Sequence, residues 1–359
     1  MKITFVLPCP NLSGGIRVVG IYAKHLQDRG HQITFVSVPE AQPPLQHQIK
    51  SVLKGQGLKP LPQRHPSHLD ALDIEHRRLN RYRPVVDADV PDGDVVIATW
   101  WETAEWVAKL SPAKGAKAYL IQHYEVFDYL PVERVKATWK LPLHKLVIAQ
   151  WLADIAVNDY GDRNFSYIPN GIDPSLFFAP PRTKQAVPTI GMMYAVEFWK
   201  GSDVGLKALA LAKETIPDLQ VVAFGHPAVA DGLPAGTRYY PQPAQTSLRE
   251  VYAQCDAWLF TSRFEGFGLP ILEAMACRTP VIGTPSGAAP ELLADGCGIL
   301  VKPADPEDMA RAIVQVCQMP EQEWQGMSHL AYERVSQYTW DEATDTLEAA
   351  LKAAMGQQN

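Results

Sequence analysis

No run of apolar residues in the chain approaches the ~18 that a membrane-spanning helix requires, so no spanning segment is expected. Cysteine is scarce and scattered. Cys9, Cys255, Cys277, Cys297 and Cys317 are an odd set without metal-type spacing, which argues against a disulfide framework and for reduced, mostly buried thiols. No histidine, cysteine and carboxylate cluster has metal-ligand spacing, no nucleophile elbow occurs, and no segment of roughly 20–50 residues repeats. The start, Met1 to Pro8, is too short for a secretory signal and reads as a first strand, so a cytoplasmic protein is expected. Asn11-Leu12-Ser13 and Asn164-Phe165-Ser166 are then glycosylation sequons by pattern only.

What is present suits two cores. At 359 residues the chain is long for one and comfortable for two. The net charge of −6 is unevenly divided: residues 1–170 hold 20 Lys+Arg against 17 Asp+Glu, and residues 171–359 hold 13 against 22. The basic part is the better place to meet an anionic acceptor or membrane surface. Arg77, Arg78, Arg81 and Arg83 cluster there, and Arg134, Lys136, Lys140 and Lys145 interleave with Trp139, Leu141 and Leu143. The second pattern suits peripheral contact with the inner face of a bilayer; both patterns equally suit a solvated face. Nothing points to nucleic acid.

Short β-branched runs alternate with helical patterns, the signature of parallel sheets covered by helices. Strands are predicted at 3–7, 33–37, 95–99, 117–122 and 146–149, then at 189–193, 220–224, 257–260, 280–282 and 298–301. Helices are predicted near 16–29, 102–110, 202–215, 246–254, 269–277, 306–317, 321–335 and 341–355. Residues 174–188, with Pro180-Pro181, read as a linker between domains at 1–173 and 189–338. Residues 39–68, rich in Pro, Gln and His, read as a long surface loop.

The most informative stretch runs from Arg263 to Ala276. Glu265 and Glu273 stand eight residues apart around Gly266-Phe267-Gly268-Leu269, the first in a turn and the second on a helix. Glycines at a helix N-terminus bare backbone N–H groups where anions are favoured. One segment thereby offers an anion cradle and two hydroxyl acceptors, which suits a nucleotide diphosphate-sugar. Each carboxylate also has a plain reading, as a helix-dipole partner or a cap.

This segment resembles the Glu-x7-Glu motif of retaining family-4 glycosyltransferases. The resemblance continues through Thr279-Pro280-Val281-Ile282-Gly283, Ala289-Pro290-Glu291 and Gly298-Ile299-Leu300-Val301, and upstream through Ile168-Pro169-Asn170-Gly171. It implies an α/β architecture of two facing Rossmann-like domains, the GT-B arrangement, with the active site in the interdomain cleft. Tyr338-Thr339-Trp340-Asp341 would return the last helix, 341–359, to the first domain. The implied reaction moves a hexosyl unit from a nucleotide diphosphate-sugar (TDP-, UDP- or GDP-linked) to a glycan or lipid-linked acceptor, with retention, without metal or other cofactor. The stretch from Met193 to Leu209 resembles bacterial rhamnosyltransferases of surface polysaccharide assembly.

By that resemblance Glu273 holds the ribose, Glu265 meets the donor sugar, and Lys200 neutralises the leaving diphosphate. Gly14 and Gly15 let the backbone approach the diphosphate, and His123, ending a predicted strand, contacts sugar or phosphate. The arginine usual five or six residues before Lys200 is missing, with Tyr194 and Ala195 in its place. Arg17 and Arg263 are the candidates to replace it. Arg278 stands where the family has glycine after Ala-Met-Ala-Cys. Further candidate contacts are His226, Tyr240 and the ring pair Trp100 and Trp101, for which core packing is the default. Asp87-Ala88-Asp89 imitates a metal motif but lies between prolines and reads as loop. Two other functions fit the architecture: a non-enzymatic nucleotide-sugar binder, and a UDP-sugar 2-epimerase.

Overall fold

The structure is a computed structural model that describes residues 1–41, 65–229 and 231–356; most of the loop expected over 39–68 lies outside the described residues. The chain divides into two compact units. The first comprises Met1–Ile148, Leu152–Ile168 and Thr344–Asn359, and the second Ala149–Trp151 and Pro169–Ala343.

The first unit is built on a parallel sheet of seven strands: β1 (Lys2–Leu7), β2 (Gln32–Ser37), β3 (Glu75–Arg78), β4 (Val95–Ala98), β5 (Ala116–Ile121), β6 (His144–Val147) and β7 (Phe165–Tyr167). Their order is β3-β2-β1-β4-β5-β6-β7. The inner strands are apolar runs, as burial on both faces requires; Phe5, Val6 and Leu7 of β1 and all four residues of β4 are sealed from solvent. The helix Gly14–Asp28 packs against β2 and buries Ile16, Val19, Tyr22, Ala23 and Leu26, an i, i+3, i+4 stripe. The helix Trp340–Gly356 is divided between the units, and its later turns belong to the first. There Arg29 meets Asp345 at 2.5 Å, and His31 meets Glu348 at 3.4 Å.

The second unit holds a parallel sheet of six strands: β8 (Thr189–Tyr194), β9 (Gln220–Gly225), β10 (Arg238–Pro241), β11 (Ala257–Phe260), β12 (Val281–Gly283) and β13 (Gly298–Leu300). The order is β10-β9-β8-β11-β12-β13. Residues 174–188, expected as a linker, are fastened to this unit. Arg182 donates to Thr279 Oγ1 at 2.9 Å and stacks over Trp324 at 4.8 Å, while Lys184 donates to the carbonyls of Cys317 and Met319 at 2.6 and 2.9 Å.

Both sheets have a switch point, where successive connections begin to run to the opposite side. It falls between β1 and β4 in the first unit and between β8 and β11 in the second. In open α/β sheets ligands bind outside the carboxyl ends of the strands at that point. Three strands escaped the sequence reading, β3, β7 and β10, and each forms a sheet edge. Edge strands are short and half-exposed, so they lack the apolar run that marks an inner strand. β3 is Glu75-His76-Arg77-Arg78, which reads as a charged cluster. Among the described residues no helix is long and apolar enough to cross a membrane.

Candidate functional site

In the second unit the loops after β8 and β11 meet at the switch point. From β8 the chain runs through exposed Val196 and Phe198 into one 3-10 turn, Phe198–Lys200. Gly201 follows with φ 66°, and a Cβ there would lie 2.0 Å from the Thr261 carbonyl oxygen, so only glycine allows this approach. Thr261 Oγ1 donates to the Lys200 carbonyl at 2.7 Å, locking the two loops together. Lys200 Nζ thereby reaches Glu265 Oε1 at 2.5 Å, and Ser262 Oγ donates to the same oxygen at 3.1 Å. The structure thus pairs two of the sequence-predicted residues and adds Ser262.

The second carboxylate is held by the following helix, Leu269–Ala276. Gly268 starts it at φ 100°, a left-handed conformation that glycine supplies without strain; a Cβ would sit 2.9 Å from the Phe260 ring. The helix opens with Leu269-Pro270, where proline's missing N–H costs nothing. Glu273 is 6% exposed and accepts a hydrogen bond from Tyr252 Oη at 2.8 Å. Tyr252 in turn packs edge-on against Trp258, with centroids 4.5 Å apart, and against Phe224 and Phe177. A fully buried phenol therefore aims the Glu273 carboxylate. No sequence signal marks Tyr252, because its contact with Glu273 joins two different helices. Phe267 is 3% exposed, so only its backbone can face a ligand, and its carbonyl accepts from Ala288 N at 2.8 Å. The carbonyl of Gly266 accepts from the indole of Trp151, a residue of the same unit, at 2.9 Å. With these carbonyls occupied, the turn leads into a helix N-terminus whose dipole favours an anion, although Pro270 has no N–H and Ile271 N already donates to the Gly268 carbonyl at 2.9 Å.

Other candidates in this unit are engaged elsewhere. Arg263 is not available to a diphosphate: its two guanidinium nitrogens grip Asp203 at 2.8 Å each, and the group lies 4.2 Å over the Phe198 ring. This pairing holds the Asp203 carboxyl below its usual range and raises Arg263. Tyr194, in the position of the missing arginine, donates to the Asp231 carbonyl at 2.9 Å. His226 is exposed at the carboxyl end of β9, with its carbonyl held by Gln242 at 2.8 Å, and Tyr240 accepts from Gln254 at 3.4 Å.

In the first unit, Gly14 and Gly15 follow β1 and Trp100 and Trp101 follow β4, so the two pairs flank the switch point. A Cβ at Gly14 would meet nothing within 4 Å among the described residues, so none of them demands glycine there. Arg17 lies on the first turn of the following helix, half-buried. Trp101 is no stacking platform: it is 3% exposed, under the Arg134 guanidinium at 4.8 Å. Trp100 remains half-buried at the strand end. His123 follows β5, and its Nδ1 lies 3.0 Å from the Tyr124 carbonyl. A carbonyl only accepts, so that bond requires a proton on Nδ1.

The basic clusters are largely neutralised within the fold. Arg77 meets Glu75 at 2.7 Å, Arg78 meets Asp70 at 2.9 Å, and Arg83 takes both oxygens of Asp89 at 2.6 and 2.7 Å. Lys145 is buried against Asp162, Arg134 pairs with Glu105, and Trp139 and Leu143 are core. The interleaved stretch is therefore not a bilayer-facing stripe. Asp87, for its part, accepts from Ser111 N at 2.9 Å.

Arg278 has a structural explanation. It sits at φ 59° just past the helix Leu269–Ala276, the left-handed position where a glycine ends helices without strain. Its guanidinium lies 3.6 Å from the Tyr332 ring centroid, and its carbonyl accepts from Ser328 Oγ at 2.9 Å. These contacts hold a residue that backbone sterics alone disfavour.

The fold is that of known glycosyltransferase structures. The chain matches, over 98% of its length and the whole of the other chain, an Anabaena protein, HepE, solved with UDP and glucose, at TM-score 0.70 and 18% identity. It matches sucrose-phosphate synthase from Thermosynechococcus elongatus at TM-score 0.70 and 17% identity, covering 99% of this chain and all of that one. Residues 177–328 match the family described as glycosyl transferases group 1. Among curated proteins it is similar to D-inositol 3-phosphate glycosyltransferase of Mycobacterium leprae, 30% identical over 44% of this chain and 40% of the relative. The counterpart in Saccharomonospora viridis is 36% identical over 36% of this chain and 30% of the relative. The matched stretches thus span less than half the length of these relatives.

Proposed function

We propose that the chain is a retaining glycosyltransferase of the family-4 type. It would move a hexosyl unit from a nucleotide diphosphate-sugar to a hydroxyl of a glycan or lipid-linked acceptor, in surface polysaccharide or glycan synthesis. One observation carries this reading: Lys200 and Glu265, joined at 2.5 Å, stand at the β8/β11 switch point, next to a helix that holds Glu273. A cation there offsets the charge that grows on a departing diphosphate, and the helix N-terminus adds to it. Glu273 accepts from ribose hydroxyls and Glu265 from the sugar, so the protein's work is placement and charge stabilisation. No protein nucleophile is assigned. Gly14, Gly15 and His123 are the first unit's candidate donor-binding residues.

A thermal-shift panel of UDP, GDP, TDP, ADP and CMP tests the reading first, since a ligand that binds the native state raises its stability. UDP leads the panel because the HepE structure holds it; TDP joins it for the rhamnosyltransferase-like stretch. Nucleotide release that requires an acceptor marks a transferase. Interconversion of the sugar without acceptor marks an epimerase, and a shift without turnover marks a binder. No shift with any nucleotide sinks the proposal.

Two smaller effects are expected. Turnover should persist in EDTA; strict dependence on a divalent ion would return Asp87 and Asp89 to consideration. Tyr252→Phe should weaken nucleotide binding by about 1 kcal/mol, the loss of one hydrogen bond, with kcat at saturating donor near the parent's. Calorimetry and steady-state rates separate the two; an unchanged affinity would make Tyr252 a packing residue only.

A further inference from the structure

The segment after His123 carries three rings in a row. His123 and Phe127 have centroids 5.0 Å apart, and Phe127 and Tyr129 lie 5.4 Å apart, parallel to within 3°. Other side chains of the segment point inward and anchor it. Tyr124 packs edge-on against Trp139 and shares a 3.0 Å hydrogen bond with Tyr160. Glu125, 6% exposed, accepts from Trp101 N at 3.1 Å, and Leu130 N donates to the Phe127 carbonyl at 2.8 Å, closing a turn. The outer ring is thus held in place by its own segment, yet Tyr129 is 76% exposed, the most exposed aromatic side chain among the described residues.

A tyrosine stacked on one face and open on the other presents a flat apolar surface with a polar tip. That surface matches the C–H face of a pyranose, whose hydroxyls point outward around the rim. Its position matches too: the row begins at the carboxyl end of β5, the side of the sheet where ligands bind. An anionic bilayer is a poorer fit, because exposed Asp128 sits directly between the two rings in sequence.

We propose that the open face of Tyr129, backed by Phe127, is a subsite for a sugar ring of the acceptor, removed from the ring that reacts near His123. The inference rests on the glycosyltransferase reading and makes the acceptor an oligosaccharide, bare or lipid-linked. Monosaccharides would not reach the subsite while occupying the reacting position.

Saturation-transfer NMR of the full chain with maltotriose, cellotriose, chitotriose and glucose tests it. The parent should contact at least one trisaccharide, and bind it more tightly than glucose. Tyr129→Ala should weaken that binding roughly tenfold, the scale of one lost aromatic stack, and Tyr129→Phe should restore it. The UDP thermal shift should be the same in all three proteins. If no trisaccharide contacts the parent, if glucose binds as well, or if Tyr129→Ala changes nothing, the subsite is overturned. A parent that binds a trisaccharide through Tyr129 but shows no nucleotide shift would instead overturn the transferase reading and leave a glycan-binding surface.

Discussion

Lys200→Ala should slow sugar transfer by roughly 10²–10³-fold, the cost of removing a preorganised group that stabilises developing charge. The structure makes the effect more specific than loss of one cation. Lys200 Nζ lies on Glu265 Oε1, and both side chains are mostly shielded from water, at 26% and 16% exposure. Removing the lysine leaves the Glu265 carboxylate beside the path of an incoming diphosphate, where like charges repel. The variant should therefore lose donor affinity as well as turnover. A second substitution, Glu265→Gln, should recover much of the affinity by removing the repulsion, and little of the turnover, because the cation is still missing. Donor calorimetry and single-turnover rates on the four members of this cycle check both halves. Near-normal turnover in Lys200→Ala would move the role to Arg17.

The same pair shows how far the sequence could be read. Glu265 and Glu273 were legible because one helix and its preceding turn fix both. Gly268 and Leu269-Pro270 announce a helix start, so Glu273 falls on its first turns wherever that helix is placed. The Lys200–Glu265 ion pair was not legible. It joins loops 65 residues apart and exists because β8 and β11 are neighbours in the sheet. Arg263 failed as a diphosphate candidate for the same reason: it lies in the loop after β11, and its partner Asp203 lies on the helix Ser202–Thr215, 60 residues earlier. Inner strands declared themselves through apolar runs. The edge strands β3, β7 and β10 bury too little to leave a pattern, so Arg77 and Arg78 looked like a free basic cluster although Glu75 and Asp70 neutralise them.

Aromatic residues teach a related lesson. Trp100-Trp101 drew attention as a sugar platform because two adjacent tryptophans at a strand end are conspicuous. In the fold, Trp101 opens a short helix, Trp101–Val107, and turns inward beneath Arg134. Phe127 and Tyr129 form the open stack, and their spacing of two residues on an anchored, irregular segment carries no helical or strand period. Periodicity finds what is buried; it says nothing of a ring held out to solvent by a non-repetitive backbone.

Glu273→Ala should weaken nucleotide binding by roughly 1.5–3 kcal/mol, the range for hydrogen bonds to a charged group, or about 10–150-fold in Kd. It should also destabilise the second unit, because Tyr252 Oη would lose a carboxylate partner in a site sealed by Trp258, Phe224 and Phe177. The two consequences can be pulled apart with Glu273→Gln. The amide oxygen can still accept from Tyr252, so denaturant stability should return close to the parent's. The amide is neutral, so a charge-assisted bond to ribose is lost and nucleotide affinity should stay intermediate. Isothermal calorimetry with the nucleotide that gives the largest thermal shift, and urea unfolding of the same three proteins, measure both. If Glu273→Ala loses stability but binds nucleotide as the parent does, Glu273 is a structural carboxylate paired with Tyr252, and the ribose contact must come from another residue.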